Sequence, residues 1–365
     1  MNVNTPYRGL LLFHGLGAGK TCSSIAIAEG LKSTKRIIIL TPASLRLNYI
    51  KELKKCGDPL YRLNQHWEFI ETNGNDKMEK GLSKVLSLSL QYIKKKGGAW
   101  LVNSKKESNY GSLNMDDKKS LDDQLHTMIR KKYRFINFDG LRKDKFNALE
   151  RESLELNGRR NIFDNKIVII DEVHNFISRI SNKLRLGKTL PKNDMNVTMY
   201  KYLKDAENCK IIFLTGTPII NYPNELGILY NMLRGYIKSY EFKIDNSNWV
   251  GKGDFTLQTI KSIFKKDGLI DYINYKQDRT TQTIIITRNP YGFKSIKDKK
   301  GRYGGVTTVN AHLDESEFKK YVKDILKKHN IKIVNKFTLN KYNALPETFN
   351  DFYEKFIVED IYGTK

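Results

Sequence analysis

The sequence has little cysteine and no long apolar run. Only three of its 365 residues are cysteines, and Cys22, Cys56 and Cys209 are scattered, with no paired spacing and no nearby histidine cluster. This pattern indicates neither a disulfide framework nor a zinc site, and it favours a reducing compartment. No stretch approaches the roughly 20 apolar residues of a membrane span, and no basic segment leads into an apolar signal core. We therefore expect a soluble protein with no membrane partner and no secretion signal.

Acidic residues are few relative to basic ones. Lys and Arg number 64 and Asp and Glu number 40, which gives a net charge of +24. This excess favours a polyanionic partner such as nucleic acid, because basic side chains neutralise phosphates and release counterions. A solvated surface rich in lysine is the alternative, since Lys, Asn and Ile are all abundant. The length predicts about two domains, and a hydrophobic content of 39% allows a sizeable core.

A strand, a glycine-rich turn and a helix follow one another within residues 9–32. The run LLLF predicts a strand buried on both faces, and an apolar helix begins at GKT. The glycines between them lack a Cβ, so the backbone can adopt positive φ and turn its N–H groups toward phosphate oxygens. His14 occupies the first position of the strict phosphate-loop pattern, where glycine is usual, and Gly15 follows it. A plain connecting turn is the alternative, and GKT argues against it.

The predicted phosphate loop assigns roles to individual residues. Lys20 would reach the β and γ phosphates as a point charge, and the Thr21 hydroxyl would be a ligand of Mg²⁺. The N-terminus of the helix would face the same anion. The residues that we predict to bind the nucleotide are Gly15, Gly17, Ala18, Gly19, Lys20, Thr21 and Cys22.

Four further apolar runs, each typical of a buried strand, end in small or polar residues. They are RIIIL before TPAS, RFINF before DG, KIVII before DEVH and KIIFL before TGTP. The carboxyl ends of the strands form the ligand edge of an open α/β sheet, so these residues are expected near the phosphate loop. We expect the strand KIVII to neighbour the first strand, because the phosphate loop requires a carboxylate beside it.

The acidic pair after KIVII predicts the catalytic chemistry. Asp171 would hold Mg²⁺ through water, and Glu172 would orient and polarise the attacking water. Capping of the next helix is the alternative for this pair. His174 is either a structural histidine or a relay between nucleotide and polymer. The hydroxyls of Thr215 and Thr217 could report the state of the γ-phosphate to a bound strand.

The pattern predicts three regions. Residues 1–240 form the nucleotide-binding domain, with an insertion at about residues 57–132 that is partly helical and partly mobile. Residues 241–340 form an accessory α+β region with a strand at TIIIT and a helix capped by Ser316. Residues 341–365 form a linker helix whose apolar spacing indicates docking.

The strand ends together resemble the motifs of the first motor domain of superfamily 2 helicases. HGLGAGKT resembles motif I, LTPASL motif Ia, VIIDEVHN motif II and LTGTPIIN motif III. The resemblance extends to the helicase-like ATPases of large nucleocytoplasmic DNA viruses, the group of the poxvirus early transcription factor small subunit and nucleoside triphosphatase I. This extended resemblance rests on three stretches of the sequence, TPYRGLLLFHGLGAGKTC, IIDEVHNF and ALPETFNDFYEKF.

This resemblance implies a RecA-like sheet, ATP with Mg²⁺, and a helicase or translocase that tracks nucleic acid, usually DNA, in viral transcription. Nucleic-acid contacts are implied for Pro42, Ser44, Asn137 and Asp139. The implied partners are a viral RNA polymerase or a second subunit, and the implied location is the virion or a viral factory in the host cytoplasm. A non-catalytic DNA-binding or assembly subunit that keeps the fold is the alternative.

Two departures from the family bear on activity. Nothing downstream resembles QxxGRxxR, whose arginines on a second motor domain complete the ATP site, and an arginine finger is worth about three to five decades of turnover. Few residues precede the first strand, so base selectivity is unsupported. We expect a chain without the second motor domain, which binds nucleotide far better than it hydrolyses it.

Overall fold

The computed structural model describes residues 6–15, 17–31, 35–184, 194–249, 251, 254–264, 268–278, 281–290, 292–297, 303–309 and 313–358. Within these residues the β-strands are β1 (Gly9–Phe13), β2 (Arg36–Thr41), β3 (Trp67–Glu71), β4 (Gly98–Val102), β5 (Tyr133–Asn137), β6 (Lys166–Ile170), β7 (Lys210–Thr215), β8 (Ile237–Asp245), β9 (Ile270–Gln277), β10 (Gln282–Arg288), β11 (Phe293–Lys297), β12 (Tyr303–Thr308), β13 (Lys332–Ile333) and β14 (Thr338–Tyr342). The α-helices are α1 (Lys20–Leu31), α2 (Arg46–Cys56), α3 (Asp76–Leu86), α4 (Leu90–Lys96), α5 (Met115–Lys132), α6 (Lys143–Asn157), α7 (Val173–Leu184), α8 (Met195–Asp205), α9 (Asn224–Arg234), α10 (Leu257–Ile263), α11 (Glu315–Lys328) and α12 (Phe349–Tyr353).

Five strands form a parallel sheet in the order β1-β7-β6-β2-β5. Successive residues of a strand point to opposite faces of a sheet. In β2, Ile37 and Ile39 accordingly belong to one apolar cluster, and Ile38 and Leu40 belong to a second cluster. Helices cover both faces, which explains why β2, β6 and β7 are almost wholly apolar. The predicted α/β class with a RecA-like phosphate-loop domain is confirmed.

The strand order corrects two expectations. β7 lies between β1 and β6, so KIVII does not neighbour the first strand. β1 is an edge strand, so its residues are only half-buried and Phe13 is 58% exposed, although the run LLLF predicts full burial. Apolar runs identify buried strands, whereas the order of strands follows from how the connecting helices cross the sheet.

Residues 57–132 form an α/β layer that shares the core of the parallel sheet. The predicted helical content is present as α3, α4 and α5, and the antiparallel pair of β3 and β4 adds strands that the sequence did not indicate. Trp67 and Trp100 are 2% and 5% exposed and belong to the same cluster as Ile37. The Gln124 amide accepts a hydrogen bond from Trp100 N and donates one to Trp100 O, each 2.8 Å long. The segment is therefore part of the folded domain rather than a loosely attached loop.

The accessory region has its own antiparallel sheet, in the order β13-β8-β10-β9, with β14 also paired to β8. Its separate apolar core includes Phe242, Ile284 and Phe318. The strand at TIIIT is present as β10, but the helix α11 is capped by Asp314 and not by Ser316. Asp314 Oδ1 accepts from Glu317 N at 2.8 Å, and Glu317 Oε2 accepts from Asp314 N at 2.7 Å, which is a capping box.

The predicted C-terminal helix is shorter than expected. Residues 343–348 are not helical, α12 follows, and one π-helical turn covers Glu354–Val358. Pro346 disfavours a helical conformation at the residue before it, which explains the late start. The segment docks on α9, where Leu345 N donates to Asn231 Oδ1 at 3.0 Å and Leu345 O accepts from Asn231 Nδ2 at 2.8 Å. Residues 359–365 of the predicted linker lie outside the described residues.

Cys22 and Cys56 form a disulfide, which contradicts the expectation of no disulfide framework. The two residues are 34 positions apart in sequence, so their spacing gives no signal. They meet because α2 packs along α1, as the 2.8 Å hydrogen bond between the hydroxyls of Ser24 and Tyr49 shows. Cys209 remains a free, buried thiol. In the part of the chain that the structure describes, no helix combines the length and apolarity needed to cross a membrane.

Candidate active site

The loop between β1 and α1 leaves an open space ahead of the helix. Gly17 and Gly19 have φ of +77° and +74°, a conformation that residues with a Cβ rarely adopt. A Cβ added at Gly15, Gly17 or Gly19 would meet nothing within 4 Å. The first N–H groups of a helix lack intrahelical acceptors, so those of Lys20, Thr21 and Cys22 are available to an anion. Leu16, the remaining residue of the loop, lies outside the described residues.

Lys20 carries a buried charge without a partner. Its side chain is 9% exposed, and its Nζ makes no hydrogen bond to any residue that the structure describes. The side chain crosses the end of β7, since a Cβ on Gly216 would lie 3.2 Å from the Nζ. A buried ammonium group is costly unless it is paired. The arrangement therefore fits an anionic group, such as the phosphates of a nucleotide, beside Lys20.

Asp171 lies at the end of β6 on the same edge. Burial is the main cause that raises its pKa to about 6, and the neighbouring charge of Glu172 adds to the increase. A hydrogen bond from Glu172 N to Asp171 Oδ1, 3.1 Å long, and the positive charge of Lys20 act in the opposite direction. Lys20 and Asp171 thus lie at the same edge of the sheet, with the end of β7 between their strands. The carboxylate of Asp171 and the hydroxyl of Thr21 are oxygen donors of the kind that Mg²⁺ prefers, so the residues fit this ion.

Glu172 has an unusual backbone conformation. Its φ is +48°, which is rare for a residue other than glycine and costs on the order of 1–3 kcal/mol. Its carboxylate oxygen Oε2 lies 3.3 Å from His174 Nδ1. Strain of this kind persists only where the surrounding structure fixes the residue, and it is concentrated at functional sites. The conformation turns the chain sharply between β6 and α7 and places Glu172 beside the predicted coupling residues.

His174 joins the ends of β6 and β7. Its Nδ1 lies 2.9 Å from Thr215 Oγ1 and 3.4 Å from Thr217 Oγ1. Thr215 Oγ1 also accepts from Thr217 N at 3.0 Å. Burial is the main cause that lowers the pKa of His174 below 6.5, and Lys20 lowers it further, while Glu172 and Glu225 raise it. The three predicted coupling residues thus form one hydrogen-bonded cluster.

The four residues implied as nucleic-acid contacts also meet at one place. β2 and β5 are neighbours, with Thr41 opposite Asn137, so Pro42 and Ser44 lie beside Asn137 and Asp139. Ser44 is exposed and Pro42 is half-buried, whereas Asn137 Oδ1 is buried without a partner. The Asp139 carboxylate accepts from Ala43 N at 3.2 and 3.3 Å. Asp139 thus supports the turn that carries Ser44, and a direct contact between this carboxylate and a phosphate would be repulsive.

Sequence reasoning missed two residues of this edge. Gly216 provides the space that Lys20 crosses, and only its position after β7 could have indicated it. Glu225, in the first turn of α9, is 1% exposed and accepts hydrogen bonds from the loop after β7. An acidic residue in the first turn of a helix is a weak signal for such a role, because acidic residues are common there.

No family model matches the chain. A mimivirus protein (Acanthamoeba polyphaga mimivirus) named as a candidate ATP-dependent RNA helicase, R563, is 28% identical over 64% of this chain and 30% of its own length. The termination factor NPH-I homolog of African swine fever virus is 25% identical over 63% of this chain and 23% of its own length. A candidate helicase of Invertebrate iridescent virus 3, 087L, is 23% identical over 64% of this chain and 19% of its own length.

The chain thus spans about a fifth to a third of the length of the curated relatives it matches. Among solved structures, the Sulfolobus solfataricus SWI2/SNF2 ATPase core in complex with dsDNA is similar over 62% of this chain and 30% of that one. The sequence identity is 14% and the TM-score 0.27. A likeness at this level carries no argument about this chain.

Proposed function

We propose that this chain, whose homologues are helicase-like proteins of large DNA viruses, is the nucleotide-binding motor domain of a nucleic-acid-dependent ATPase of the superfamily 2 type. One observation carries the proposal. Among the residues that the structure describes, the buried ammonium group of Lys20 has no hydrogen-bond partner, and it lies at the same edge of the sheet as the buried carboxylate of Asp171. A bound triphosphate with a divalent cation would satisfy both groups at once.

Different residues of the site have different roles in the proposed reaction. Loop amides and Lys20 hold the phosphates of ATP and orient the γ-phosphate. Thr21 and Asp171 would hold Mg²⁺, which supplies neutralisation of charge on the β and γ phosphates when bound. Glu172 orients a water molecule and accepts its proton as the water attacks the γ-phosphorus and the bond to the β-phosphate oxygen breaks.

The hydroxyls at the end of β7 connect this reaction to a polymer. Thr215 and Thr217 contact His174, and His174 contacts Glu172. A change at the γ-phosphate that moves Glu172 would therefore also move His174 and the loop after β7. This contiguous set of polar contacts supports a role in coupling between the nucleotide and the nucleic acid.

DNA is the polymer that we propose, with viral transcription as the context. The net charge of +24 supports a polyanionic partner, and the R563 relative is named for RNA, which makes RNA the competing polymer. We further propose a viral RNA polymerase or a second subunit as protein partner, and the host cytoplasm or the virion as location.

A non-catalytic DNA-binding or assembly subunit is the second candidate function. Lys20 is the cation that lowers the pKa of Asp171, and no arginine acts on this carboxylate among the residues that the structure describes. Arginines that neutralise the transition state contribute several decades of rate in related reactions. A chain with this site alone would bind nucleotide and turn it over slowly.

Two measurements on the full chain test these candidates. Titration with a fluorescent ATP analogue and Mg²⁺ should show at least a hundredfold loss of affinity in Lys20→Ala and none in Lys51→Ala, whose lysine is exposed on α2. Equal affinity of Lys20→Ala and the unchanged chain would contradict nucleotide binding at this site. Hydrolysis stimulated by duplex DNA would favour the motor, whereas DNA binding that weakens with salt and proceeds without hydrolysis would favour the second candidate.

A further inference from the structure

The loop between β7 and α9 is held by one face of α7 at two points. His174 and Ser178 are four residues apart and therefore lie on the same face of the helix. His174 contacts the start of the loop through the hydroxyls of Thr215 and Thr217. Ser178 Oγ donates to Glu225 Oε1 at 3.1 Å, just beyond the end of the loop. Helix α7 thus contacts both ends of the loop, the end at the carboxyl edge of the parallel sheet and the end at α9.

Glu225 is the centre of the second point. Its side chain is 1% exposed, and its Oε2 accepts from Ile220 N at 2.8 Å and from Asn221 N at 3.2 Å. Its Oε1 accepts from Ser178 Oγ and, at 3.3 Å, from Asn221 Nδ2. Buried carboxylates are stabilised by such sets of donors. The carboxylate therefore binds the backbone of the loop to α7 and α9 together.

The residues between the two points have little apolar anchoring of their own. Ile219 and Ile220 are 42% and 50% exposed, and Thr217 is exposed as well. By contrast, α9 is held by fully buried Ile228 and Leu229. Loss of the Glu225 carboxylate should consequently release the loop while the helix that carries Glu225 stays in place.

We propose that Glu225, together with Ser178 and Asn221, is a positioning group for the coupling of nucleotide to nucleic acid. It fixes the loop so that Thr217 follows movements of His174 instead of moving independently, while Thr215 is already held in β7. This inference rests on the proposed function, because it assigns the loop a role in the coupling of that same site. Glu225 touches neither nucleotide nor polymer, so its effect passes through the loop.

The test measures coupling without turnover. The dissociation constant of the full chain for a fluorescent DNA duplex is measured with and without a non-hydrolysable ATP analogue and Mg²⁺, and the ratio of the two constants reports the coupling. We expect Glu225→Ala to reduce this ratio at least fivefold, toward one, with the affinity for the analogue alone changed less than twofold. Glu225→Gln should keep most of the ratio, because its amide oxygen still accepts from Ile220 N and Asn221 N. The control is Glu155→Ala, an exposed acid on α6.

Three results would overturn the inference. The first is an unchanged ratio in a folded Glu225→Ala chain. The second is a parallel loss of analogue affinity and coupling that Gln does not restore, since this would mark a merely structural role. The third is a ratio of one in the unchanged chain. That result would leave nucleotide binding through Lys20 intact, whereas loss of this binding would instead contradict the proposed function.

A milder substitution covers the case in which Glu225→Ala does not fold. Ser178→Ala removes the hydrogen bonds of one hydroxyl, to Glu225 and to Asn221 Nδ2, at a half-buried position of α7. We expect it to reduce the coupling ratio about twofold to threefold at an unchanged melting temperature. A ratio identical to that of the unchanged chain would count against the inference on its own.

Discussion

The carboxyl edge of the parallel sheet has two halves that satisfy their polar groups differently. In the half at β1, β7 and β6, Lys20 Nζ is buried and has no hydrogen-bond partner in the described part of the chain, and burial raises the pKa of Asp171. In the half at β2 and β5, Ser44 is exposed and the Asp139 carboxylate is occupied by Ala43 N, although the carbonyl oxygen of Asn137 is buried without a partner. In the first half, buried charged groups are available to a ligand. In the second half, most polar groups are exposed to solvent or hydrogen-bonded within the protein.

The difference matches the two kinds of ligand that we propose. A small, highly charged nucleotide is recognised best by buried charges whose interactions are weakly screened. A polymer backbone is bound at the surface by many weak contacts that solvent and salt can reach. Substitutions in the nucleotide half should therefore have large and local effects, and those in the other half small ones.

The largest effect is expected for Asp171→Asn. Removal of the carboxylate that would hold Mg²⁺ should lower Mg²⁺-dependent ATP hydrolysis by about a thousandfold, which corresponds to about 4 kcal/mol. Steady-state hydrolysis assays measure this loss. The matched change in the other half, Asp139→Asn, should leave the rate of Mg²⁺-dependent ATP hydrolysis within about twofold in the same assay. A comparable loss in both variants would erase the distinction between the halves.

The disulfide between α1 and α2 should contribute the next largest effect. It closes a loop of 34 residues, for which the chain-entropy model gives about 3–4 kcal/mol of stability. Thermal melting should show a lower melting temperature for Cys56→Ser, or for the unchanged chain in reductant. Reductant should have no effect on the double variant Cys22→Ser, Cys56→Ser. A melting temperature that reductant does not alter in any chain would show that the bridge does not form.

The stability of the domain should depend on pH through Asp171. Its folded pKa, about 6, lies above the ordinary value of 3.8, so its contribution favours folding at low pH and is lost as pH rises through about 6. In chelator, Asp171→Asn should therefore be more stable than the unchanged chain at pH 7.5, by about 2–3 kcal/mol. The advantage should disappear near pH 4. Urea denaturation at several pH values measures it, and a constant difference would contradict the buried charge.

The smallest effect is expected where a methyl group crowds Lys20. A Cβ on Gly216 would lie 3.2 Å from Lys20 Nζ and 3.5 Å from His14 O, so Gly216→Ala should displace the ammonium by a few tenths of an ångström. We expect a loss of nucleotide affinity of several-fold, up to about tenfold, or about 1.4 kcal/mol. Gly140→Ala is the control at the other half, since its Cβ would meet nothing within 4 Å. Equal affinities of the two variants would place Lys20 elsewhere.

Much of the edge could be predicted because its signals are local. Each strand end was identified by an apolar run followed at once by polar residues, and the sheet then collects such ends without further information. The residues Lys20, Asp171, His174, Thr215 and Thr217 meet for this reason. Their individual roles stay predictions, as do the domain boundaries.

Other features of the fold and the site could not be predicted, because they depend on contacts between distant parts of the chain. The Cys22–Cys56 bridge and the position of β7 between β1 and β6 arise from helix crossings that no short pattern encodes. The antiparallel pair of β3 and β4 is stabilised by a glutamine 24 residues beyond Trp100. At α11, two residues that can cap a helix stand close together, and the capping box with Glu317 decides for Asp314. The role of Glu225 could not be predicted for a similar reason, because its hydrogen-bond partners lie on another helix and in a loop.

The most direct measurement is labelling with an ATP acyl phosphate, which transfers its acyl group to a lysine beside the bound phosphates. Mass spectrometry after incubation of the full chain with this probe and Mg²⁺ identifies the acylated lysine. We predict modification of Lys20 that excess ATP suppresses, with Lys51 unaffected by ATP. Labelling confined to exposed lysines, at a level that ATP does not change, would contradict the claim that Lys20 binds the phosphates of ATP.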